Sequence, residues 1–189
     1  MLSISERPLS FNDVFGQDSV IKELKERKKK KFPSSILLKG STGTGKTTVA
    51  QIIAMTINCS NLTSDMDPCL KCPSCISIIR ETFDRDTHRL DGSQSGKDDV
   101  IDFTNSINIS PMYDRNTIII IEEADQLSSK AKFALLKVLE KPIDNVYFIL
   151  LSMVNTGLPT EIQSRCQVYN FKLFTSMNIM YALKSILEK

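Results

Sequence analysis

A glycine-rich segment at residues 40–47, with the sequence GSTGTGKT, is the feature that most restricts the fold of this chain. A short apolar run precedes it and a helix-length amphipathic stretch follows it, which is the context that a phosphate-binding P-loop requires. The glycines let backbone N–H groups turn toward a phosphate, and a helix beginning there adds its positive dipole end. The predicted phosphate-binding residues are Gly40, Ser41, Thr42, Gly43, Thr44, Gly45, Lys46, Thr47 and Thr48.

Two side chains of this loop have expected roles of their own. Lys46 is expected to reach the β- and γ-phosphates of ATP, and the Thr47 hydroxyl to bind Mg²⁺. Mg²⁺ keeps several of its waters and takes few protein ligands, so one hydroxyl and one carboxylate suffice. The loop therefore predicts binding of ATP with Mg²⁺.

Short apolar runs alternate with amphipathic stretches along the chain, which favours an α/β fold with helices on both faces of a mostly parallel sheet. The clearest strands are predicted at 36–38, 117–121 and 146–151, and weaker ones at 88–91 and 167–171. Helices are predicted at 18–31 and at 128–141, the second opened by Ser128 as its cap and closed before Pro142. The basic end of the first helix is interpreted as a solvated helix end without a functional role.

The composition is that of an ordinary globular domain, with 41% hydrophobic and 24% charged residues among 189. The net charge of +2 does not by itself indicate nucleic-acid binding, which depends on clustered Lys and Arg. The first ten residues, MLSISERPLS, lack the features of a signal peptide, and no apolar run is long enough to span a bilayer. We therefore expect a cytoplasmic chain without a membrane partner.

Two acids directly follow the predicted strand at 117–121. A nucleotide hydrolase needs a carboxylate near its metal and another that orients or deprotonates water, usually at the end of a neighbouring buried strand. Glu122 and Glu123 are the acids placed for these two roles.

Four of the five cysteines form the pattern C-x9-C-x2-C-x2-C at Cys59, Cys69, Cys72 and Cys75. Four thiolates on two tight turns favour one tetrahedral zinc ion, and because they leave no position for water the ion is expected to be structural. An iron–sulfur cluster would use the same ligands, and a redox pair would use Cys72 and Cys75, but no second motif supports either alternative.

The order of these motifs resembles the bacterial DNA polymerase III clamp-loader ATPase, the gamma/tau subunit family of the AAA+ class. The resemblance covers nearly the whole chain: an opening segment from Arg7 to Gln17, the P-loop, the cysteines, the acids, ALLKVLEKP at 134–142 and Ser-Arg-Cys at 164–166. The related delta-prime subunit shares the zinc and Ser-Arg-Cys motifs but generally lacks a working P-loop. This chain has all three, which favours gamma/tau.

The resemblance implies an AAA+ P-loop NTPase domain with a five-stranded sheet at 1–172, an inserted zinc module at 59–79, and a helix at 173–189 that begins a lid domain. It implies that the opening segment borders the nucleotide through Arg7, Pro8, Val14 and Phe15. It further implies that Arg165 acts in trans, entering the ATP site of a neighbouring subunit. Such a guanidinium stabilises charge that develops on the γ-phosphoryl group, which couples assembly to hydrolysis.

The function implied is that of an ATPase that loads the sliding clamp onto primed DNA within a hetero-oligomeric ring of clamp-loader subunits. Two departures weaken the expectation of hydrolysis. Glu122 stands where the family has the metal-associated Asp, and Met153 stands where a polar sensor residue is expected. The alternative is an assembly module that binds nucleotide but hydrolyses it weakly or not at all. Because the chain stops where the lid would begin, we also expect it to be a fragment or a reduced homologue.

Overall fold

The computed structural model describes residues 7–28, 31–65, 67–83, 85–93, 111–154 and 157–187. Within these residues a five-stranded sheet has the order β2-β3-β4-β1-β5, and all of its neighbouring strands are parallel. The strands are β1 (Ser35–Lys39), β2 (Thr87–Asp91), β3 (Thr117–Glu122), β4 (Val146–Ser152) and β5 (Gln167–Asn170). All five coincide with strands predicted from the sequence.

Helices lie along the chain before the first strand, between strands and after the last strand. They are α1 (Asp18–Lys28), α2 (Lys46–Asn58), α3 (Pro73–Ile79), α4 (Ser129–Glu140), α5 (Thr160–Ser164) and α6 (Ser176–Leu187), and a short 3-10 helix spans Phe11–Asp13. Ser128 caps α4 as predicted, since its Oγ accepts a hydrogen bond from the backbone N–H of Ala131 at 3.2 Å. None of the described helices is long and apolar enough to cross a bilayer.

The central strands bury both faces, which explains their nearly continuous apolar sequences. Alternate residues point to opposite sides: Ile118 and Ile120 of β3 join one core cluster, whereas Ile119 and Ile121 join another. The first cluster contains buried residues of α1, α2 and α3, and the second contains buried residues of α4 and α5. The domain is thus a sheet covered by helices on both faces, which confirms the predicted fold class.

One predicted boundary differs from the structure. The first helix was expected to include Lys31; the structure describes α1 over Asp18–Lys28, and Lys31 has a φ of 143°. That backbone conformation is incompatible with a right-handed helix, and Pro33 follows two residues later. Residues 29 and 30 of the predicted helix lie outside the described residues, as do residues 188 and 189 at the end of the chain.

Because every strand of a parallel sheet runs in the same direction, the strand ends meet along one edge. Asp91 of β2 is in register with Glu122 of β3, and Lys39 of β1 is in register with Ser152 of β4. Gly40, the first residue of the P-loop, follows Lys39, and its N–H donates to the Ser152 carbonyl at 3.2 Å. The sheet therefore brings the P-loop and the two predicted acids to the same edge, where open α/β sheets bind their ligands.

Candidate functional site

The P-loop adopts a conformation that depends on glycine. Gly43 has a φ of 76° and Gly45, the residue that caps α2, has a φ of 91°, a region that residues with a Cβ rarely enter. Thr44 between them is buried, and its hydroxyl donates to the Ser41 carbonyl at 2.8 Å. The loop is therefore held tightly at its centre and leads directly into the first turn of α2, whose N–H groups have no partner within the helix.

Lys46 folds back over the loop. Its ammonium donates to the carbonyls of Gly40 at 2.7 Å and Ser41 at 2.8 Å. Burial lowers the pKa of Lys46 from its ordinary value, although the carboxylates of Asp125, Glu122 and Glu123 oppose this shift. A partly desolvated ammonium among carboxylates is placed to bind a polyanion such as a phosphate chain.

The P-loop and the acids after β3 line a common cleft of about 410 Å³. P-loop residues line the cleft together with cationic, acidic and apolar side chains from the strand ends and the opening segment. The lining residues are Arg7, Thr42, Gly43, Gly45, Lys46, Thr47, Thr48, Arg89, Glu122, Glu123, Asp125, Leu151, Ser152 and Met153. The sequence-predicted lysine, threonines and acids are thus brought together.

The two acids after β3 have different surroundings. Glu122 is mostly buried; its Oε2 accepts from Arg89 at 2.6 Å, and its Oε1 is buried without a hydrogen-bond partner among the described residues. Glu123 is exposed and has a φ of 48°, a strained conformation for a residue other than glycine, which costs about 1–3 kcal/mol. One carboxylate is fixed inside the cleft and the other lies at its mouth.

The remaining predicted nucleotide-site residues are not all at this cleft. Arg7 lines it and is 2.6 Å from Glu81, whereas Pro8, Val14 and Phe15 are not among its lining residues. Val14 lines a separate groove beside α1 and packs against the core. A role of these residues beside the adenine stays a prediction.

Arg165 lies on the surface at the C-terminal end of α5, away from the cleft of its own chain. Its guanidinium donates to the Glu161 carbonyl at 2.9 Å and to Glu140 Oε1 at 2.8 Å. Its side chain is about one-third exposed, at 35%. The arginine is accessible to a neighbouring molecule, and its action in trans stays a prediction.

The four cysteines of the predicted zinc module converge. Their sulfur atoms all lie within 4.8 Å of one another, and Cys59, Cys72 and Cys75 are buried. Four thiolates around one zinc ion at about 2.3 Å would be about 3.8 Å apart, so the cluster needs little adjustment to hold such an ion. The backbone N–H groups of Cys69 and Cys72 donate to the sulfurs of Cys59 and Cys69, at 3.2 and 3.4 Å. These hydrogen bonds favour the thiolate form that a metal requires.

Local structure explains why the cysteines meet. Cys59 follows the last residue of α2, Cys72 caps α3, and Cys75 lies in the first turn of α3 next to Pro73. Leu70, between the second and third cysteines, has a φ of 59°, which turns the chain sharply. Two helix ends and one tight turn therefore place all four sulfurs around a single point.

Comparison with known proteins decides the family of the chain. Residues 16–175 match the sequence model of the family described as "DNA polymerase III, delta subunit". The chain belongs to this family of DNA polymerase III subunits.

Relatives of this DNA polymerase III family chain are similar to it along nearly its whole length. The tau subunit of Bacillus subtilis is 35% identical over 184 residues, which are 96% of this chain and 32% of that protein. The gamma subunit from Buchnera aphidicola of Acyrthosiphon pisum is 33% identical over 97% of this chain and 51% of that protein. The resemblance to gamma/tau subunits is confirmed, and the chain spans between about a third and half of the length of these relatives.

Solved structures support the same fold. The RuvB Holliday junction branch migration motor of Thermotoga maritima has a TM-score of 0.62 at 20% identity, covering 97% of this chain and 55% of that one. A Thermotoga maritima protein related to the DNA polymerase III gamma subunit has a TM-score of 0.56, also at 20% identity, covering 82% of this chain and 47% of that one. At this level of identity the likeness concerns the fold alone.

Three polar side chains at the site of this DNA polymerase III family member were not predicted from the sequence. Arg89 binds Glu122, Asp125 accepts from the Met153 N–H at 3.2 Å, and buried Gln17 donates to the carbonyls of Thr44 and Lys172 at 3.2 and 2.7 Å. Asp125 could have been recognised from the sequence, because it is a third acid shortly after Glu122 and Glu123. Gln17 ends the opening segment, but neither Gln17 nor Arg89 has a local pattern that indicates its contacts with distant residues.

Proposed function

We propose that this chain is an ATP-binding and ATP-hydrolysing subunit of a clamp loader, which uses ATP to load a sliding clamp onto DNA in a DNA polymerase III type replicase. The observation that supports this most directly is the cleft in which Lys46, Thr47 and Glu122 meet at the carboxyl edge of the sheet. The names of the relatives, which are gamma and tau subunits, supply the replicase context.

The donor set at the cleft fits Mg²⁺. Glu122 Oε1 is a buried carboxylate oxygen without a partner among the described residues, and Thr47, which also lines the cleft, offers a hydroxyl. Hard oxygen ligands of this kind suit Mg²⁺, and a buried unpaired carboxylate oxygen is costly unless a cation or donor meets it. When bound, the ion would neutralise charge on the phosphates. Thr47 and Glu122 are the residues that would hold it.

Three other side chains are proposed to act on the phosphates and on the attacking water. Lys46 would exchange its two backbone carbonyl partners for phosphate oxygens, which are stronger acceptors because they are charged. Glu123, exposed at the mouth of the cleft, is proposed to orient or deprotonate the attacking water. Arg165 is proposed to reach the cleft of an adjacent subunit, after leaving Glu140, and to stabilise transition-state charge there.

The opening segment completes the proposed nucleotide site. Arg7 lines the cleft, which supports a contact with the nucleotide, and Pro8, Val14 and Phe15 are proposed to border the adenine. Phe15 is partly exposed at 38%, so a planar base can reach its ring. The segment ends with Gly16 and Gln17, and Gln17 is hydrogen-bonded to the P-loop.

The cysteine cluster is proposed to hold one structural zinc ion. Four sulfurs fill a tetrahedral shell, so no position remains for water or substrate and the ion would not take part in hydrolysis. The partners proposed are the other clamp-loader subunits, the sliding clamp and, through the assembled complex, primed DNA. The proposed location is the cytoplasm, and α6 is proposed to begin a lid domain after a nucleotide-binding domain that ends at residue 172.

A second candidate function is a nucleotide-dependent assembly module with weak or no hydrolysis. Two observations favour it: the carboxylate of Glu122 is paired with Arg89, and Met153 presents a thioether to the cleft where a polar group would contact phosphate or water. In such a module, ATP binding would shift the population of an assembled state without turnover.

The test is the rate of ATP turnover in the assembled complex with partner subunits, clamp and primed DNA. Glu123→Gln is expected to lower the rate by about 100-fold or more at unchanged ATP affinity. Arg165→Ala is expected to lower it by about 1000-fold. Matched controls are Asp144→Asn and Arg115→Ala, which change exposed residues outside the cleft.

The outcomes separate the two candidates. Equal rates for the wild type, Glu123→Gln and Arg165→Ala would reject the roles assigned to these residues. ATP binding by the wild type with negligible turnover in the full assembly would support the assembly module instead. A cysteine redox switch, a third possibility, predicts a chain without bound zinc, which metal analysis would reveal.

A further inference from the structure

Arg89 is fixed between two carboxylates at the edge of the cleft. It lies on β2, and its guanidinium donates to Glu122 Oε2 at 2.6 Å. Its other terminal nitrogen is 3.8 Å from Glu81 Oε2, and the guanidinium lies 5.9 Å from the centre of the Phe83 ring. Three neighbours therefore restrict an otherwise flexible side chain.

Glu81, the second carboxylate beside Arg89, accepts hydrogen bonds from two further side chains. Its Oε1 accepts from Arg7 at 2.6 Å and from the Gln51 side chain at 3.1 Å. The chain of contacts thus runs from Arg7 through Glu81 and Arg89 to Glu122. Glu81 and Phe83 restrain Arg89 independently of Glu122. The hydrogen bond from Arg89 can therefore fix the position of the Glu122 carboxylate.

The two oxygens of Glu122 are in unlike environments. Oε2 is bound to Arg89, whereas Oε1 is buried and lacks a hydrogen-bond partner among the described residues. Leaving a buried carboxylate oxygen unpaired costs free energy, and a cation bound in the cleft would recover it. One oxygen is anchored, and the other is left for a ligand.

We propose that Arg89 is a positioning residue for Glu122: it anchors Oε2 so that Oε1 is presented to Mg²⁺ in the nucleotide cleft. This role rests on the proposed function, in which Glu122 is a magnesium ligand. Glutamate has one more rotatable bond than aspartate, and ordering it costs conformational entropy that a fixed arginine partner offsets before the metal arrives. Residues that orient metal ligands typically change metal affinity by about 10- to 100-fold when they are removed.

Two other roles for Arg89 predict different behaviour. If its guanidinium contacted the phosphates directly, removing it would weaken ATP binding whether or not Mg²⁺ were present. If it competed with Mg²⁺ for Glu122, removing it would strengthen Mg²⁺ binding. The dependence of ATP binding on Mg²⁺ concentration distinguishes these cases.

The experiment measures ATP affinity by titration calorimetry, first in EDTA and then over a series of Mg²⁺ concentrations. The variants are Arg89→Ala and Arg89→Lys, with Arg115→Ala as a control for loss of an exposed arginine outside the cleft. Circular dichroism establishes that each variant is folded. Arg89→Ala is expected to raise the Mg²⁺ midpoint about 10-fold while ATP affinity in EDTA stays within about twofold. Arg89→Lys should recover part of the loss, because it restores the charge but not the planar fork.

An unchanged Mg²⁺ midpoint in Arg89→Ala would overturn the proposal, as would a lower midpoint or an equal loss of affinity with and without Mg²⁺. Failure of ATP to bind the wild type under any condition would instead overturn the proposed function, and with it this role. If the wild type binds ATP more tightly as Mg²⁺ is added and the Mg²⁺ midpoint of Arg89→Ala equals that of the wild type, the positioning role alone is rejected.

Discussion

The P-loop cleft and the cysteine cluster lie at opposite ends of the same helix and differ in how their polar groups are satisfied. Lys46 is the first residue of α2, and Cys59 directly follows its last residue. At the first end, Lys46 is bound to two carbonyls of its own loop, and one buried oxygen of Glu122 has no hydrogen-bond partner in the part of the chain that the structure describes. At the second end, four sulfurs lie within 4.8 Å of one another.

This difference indicates which ligand each site is built for. Contacts with neighbouring backbone atoms are easily exchanged, so the cleft suits a ligand that enters and leaves. A cluster of four thiols that surround one point suits a ligand that stays, because its removal leaves partly charged sulfurs buried together. We therefore expect changes at the cysteines to affect stability and changes at the cleft to affect binding.

The largest expected effect follows from Cys75→Ser. It removes one of the four buried ligands, so we expect zinc content to fall from one ion per chain toward zero. Since metal binding contributes directly to folding, the midpoint of thermal unfolding should fall by about 10 °C, corresponding to roughly 3–5 kcal/mol. Metal analysis by mass spectrometry and calorimetric unfolding measure the two quantities.

Cys166→Ser is the matched control for this change. Burial raises the pKa of the Cys166 thiol to about 12, so it is neutral, and it lies outside the cluster of four. Its replacement should leave one zinc ion per chain. Equal zinc content in the Cys75 and Cys166 variants would show that the cluster is not the metal site.

Lys46→Ala is expected to have the next largest effect, on binding rather than stability. Loss of the charge-assisted hydrogen bonds to phosphate should weaken ATP affinity about 100-fold, or roughly 3 kcal/mol, at unchanged zinc content. Lys141→Ala, which removes an exposed lysine outside the cleft, should bind ATP like the wild type. Titration calorimetry measures both, and similar affinities in the two variants would contradict the assignment of the cleft.

Gln17→Ala tests how the P-loop is supported. The Gln17 amide joins the loop at Thr44 to the segment after β5 at Lys172, through two donated bonds and one that it accepts from the Lys172 N–H at 3.1 Å. Because this amide is 2% exposed, its loss should lower the free energy of unfolding by about 2 kcal/mol. Denaturant unfolding measures the change; a value near zero would mean that the loop does not need this support.

Ser128→Ala has the smallest expected effect. It removes the side-chain cap of α4 and should cost about 1 kcal/mol of unfolding free energy. Because α4 lies on the face of the sheet opposite to α2, both zinc content and ATP affinity should be unchanged. A loss of either would mean that the two sites depend on general stability rather than on their own residues.

Local sequence patterns were sufficient to predict much of this structure. The five strands were recognisable because central strands of a parallel sheet are apolar on both faces, and Ser128 was recognisable as a helix cap. The P-loop and the cysteines were recognisable because their spacing is fixed by the chemistry of one ligand. Their convergence at the sheet edge followed from the common direction of parallel strands.

Contacts between distant residues could not be predicted in this way. The bond from Arg89 to Glu122 joins residues 33 positions apart, and the bond from Gln17 to Lys172 joins residues 155 positions apart. Neither residue type has a local pattern that indicates its partner. Lys31 was also wrongly included in the first helix, because Lys and Arg favour helices and give no sign of its positive φ.

Thermal unfolding of the wild-type chain over a series of ATP concentrations with Mg²⁺ tests most directly whether the cleft binds nucleotide. A ligand that binds the folded state alone stabilises it by about 2.7 kcal/mol at 100 times its dissociation constant. For a chain of this size the midpoint should therefore rise by about 5–10 °C, and at the same ATP concentration the rise should be larger with Mg²⁺ than without it. A midpoint that stays constant at all ATP concentrations would contradict the account.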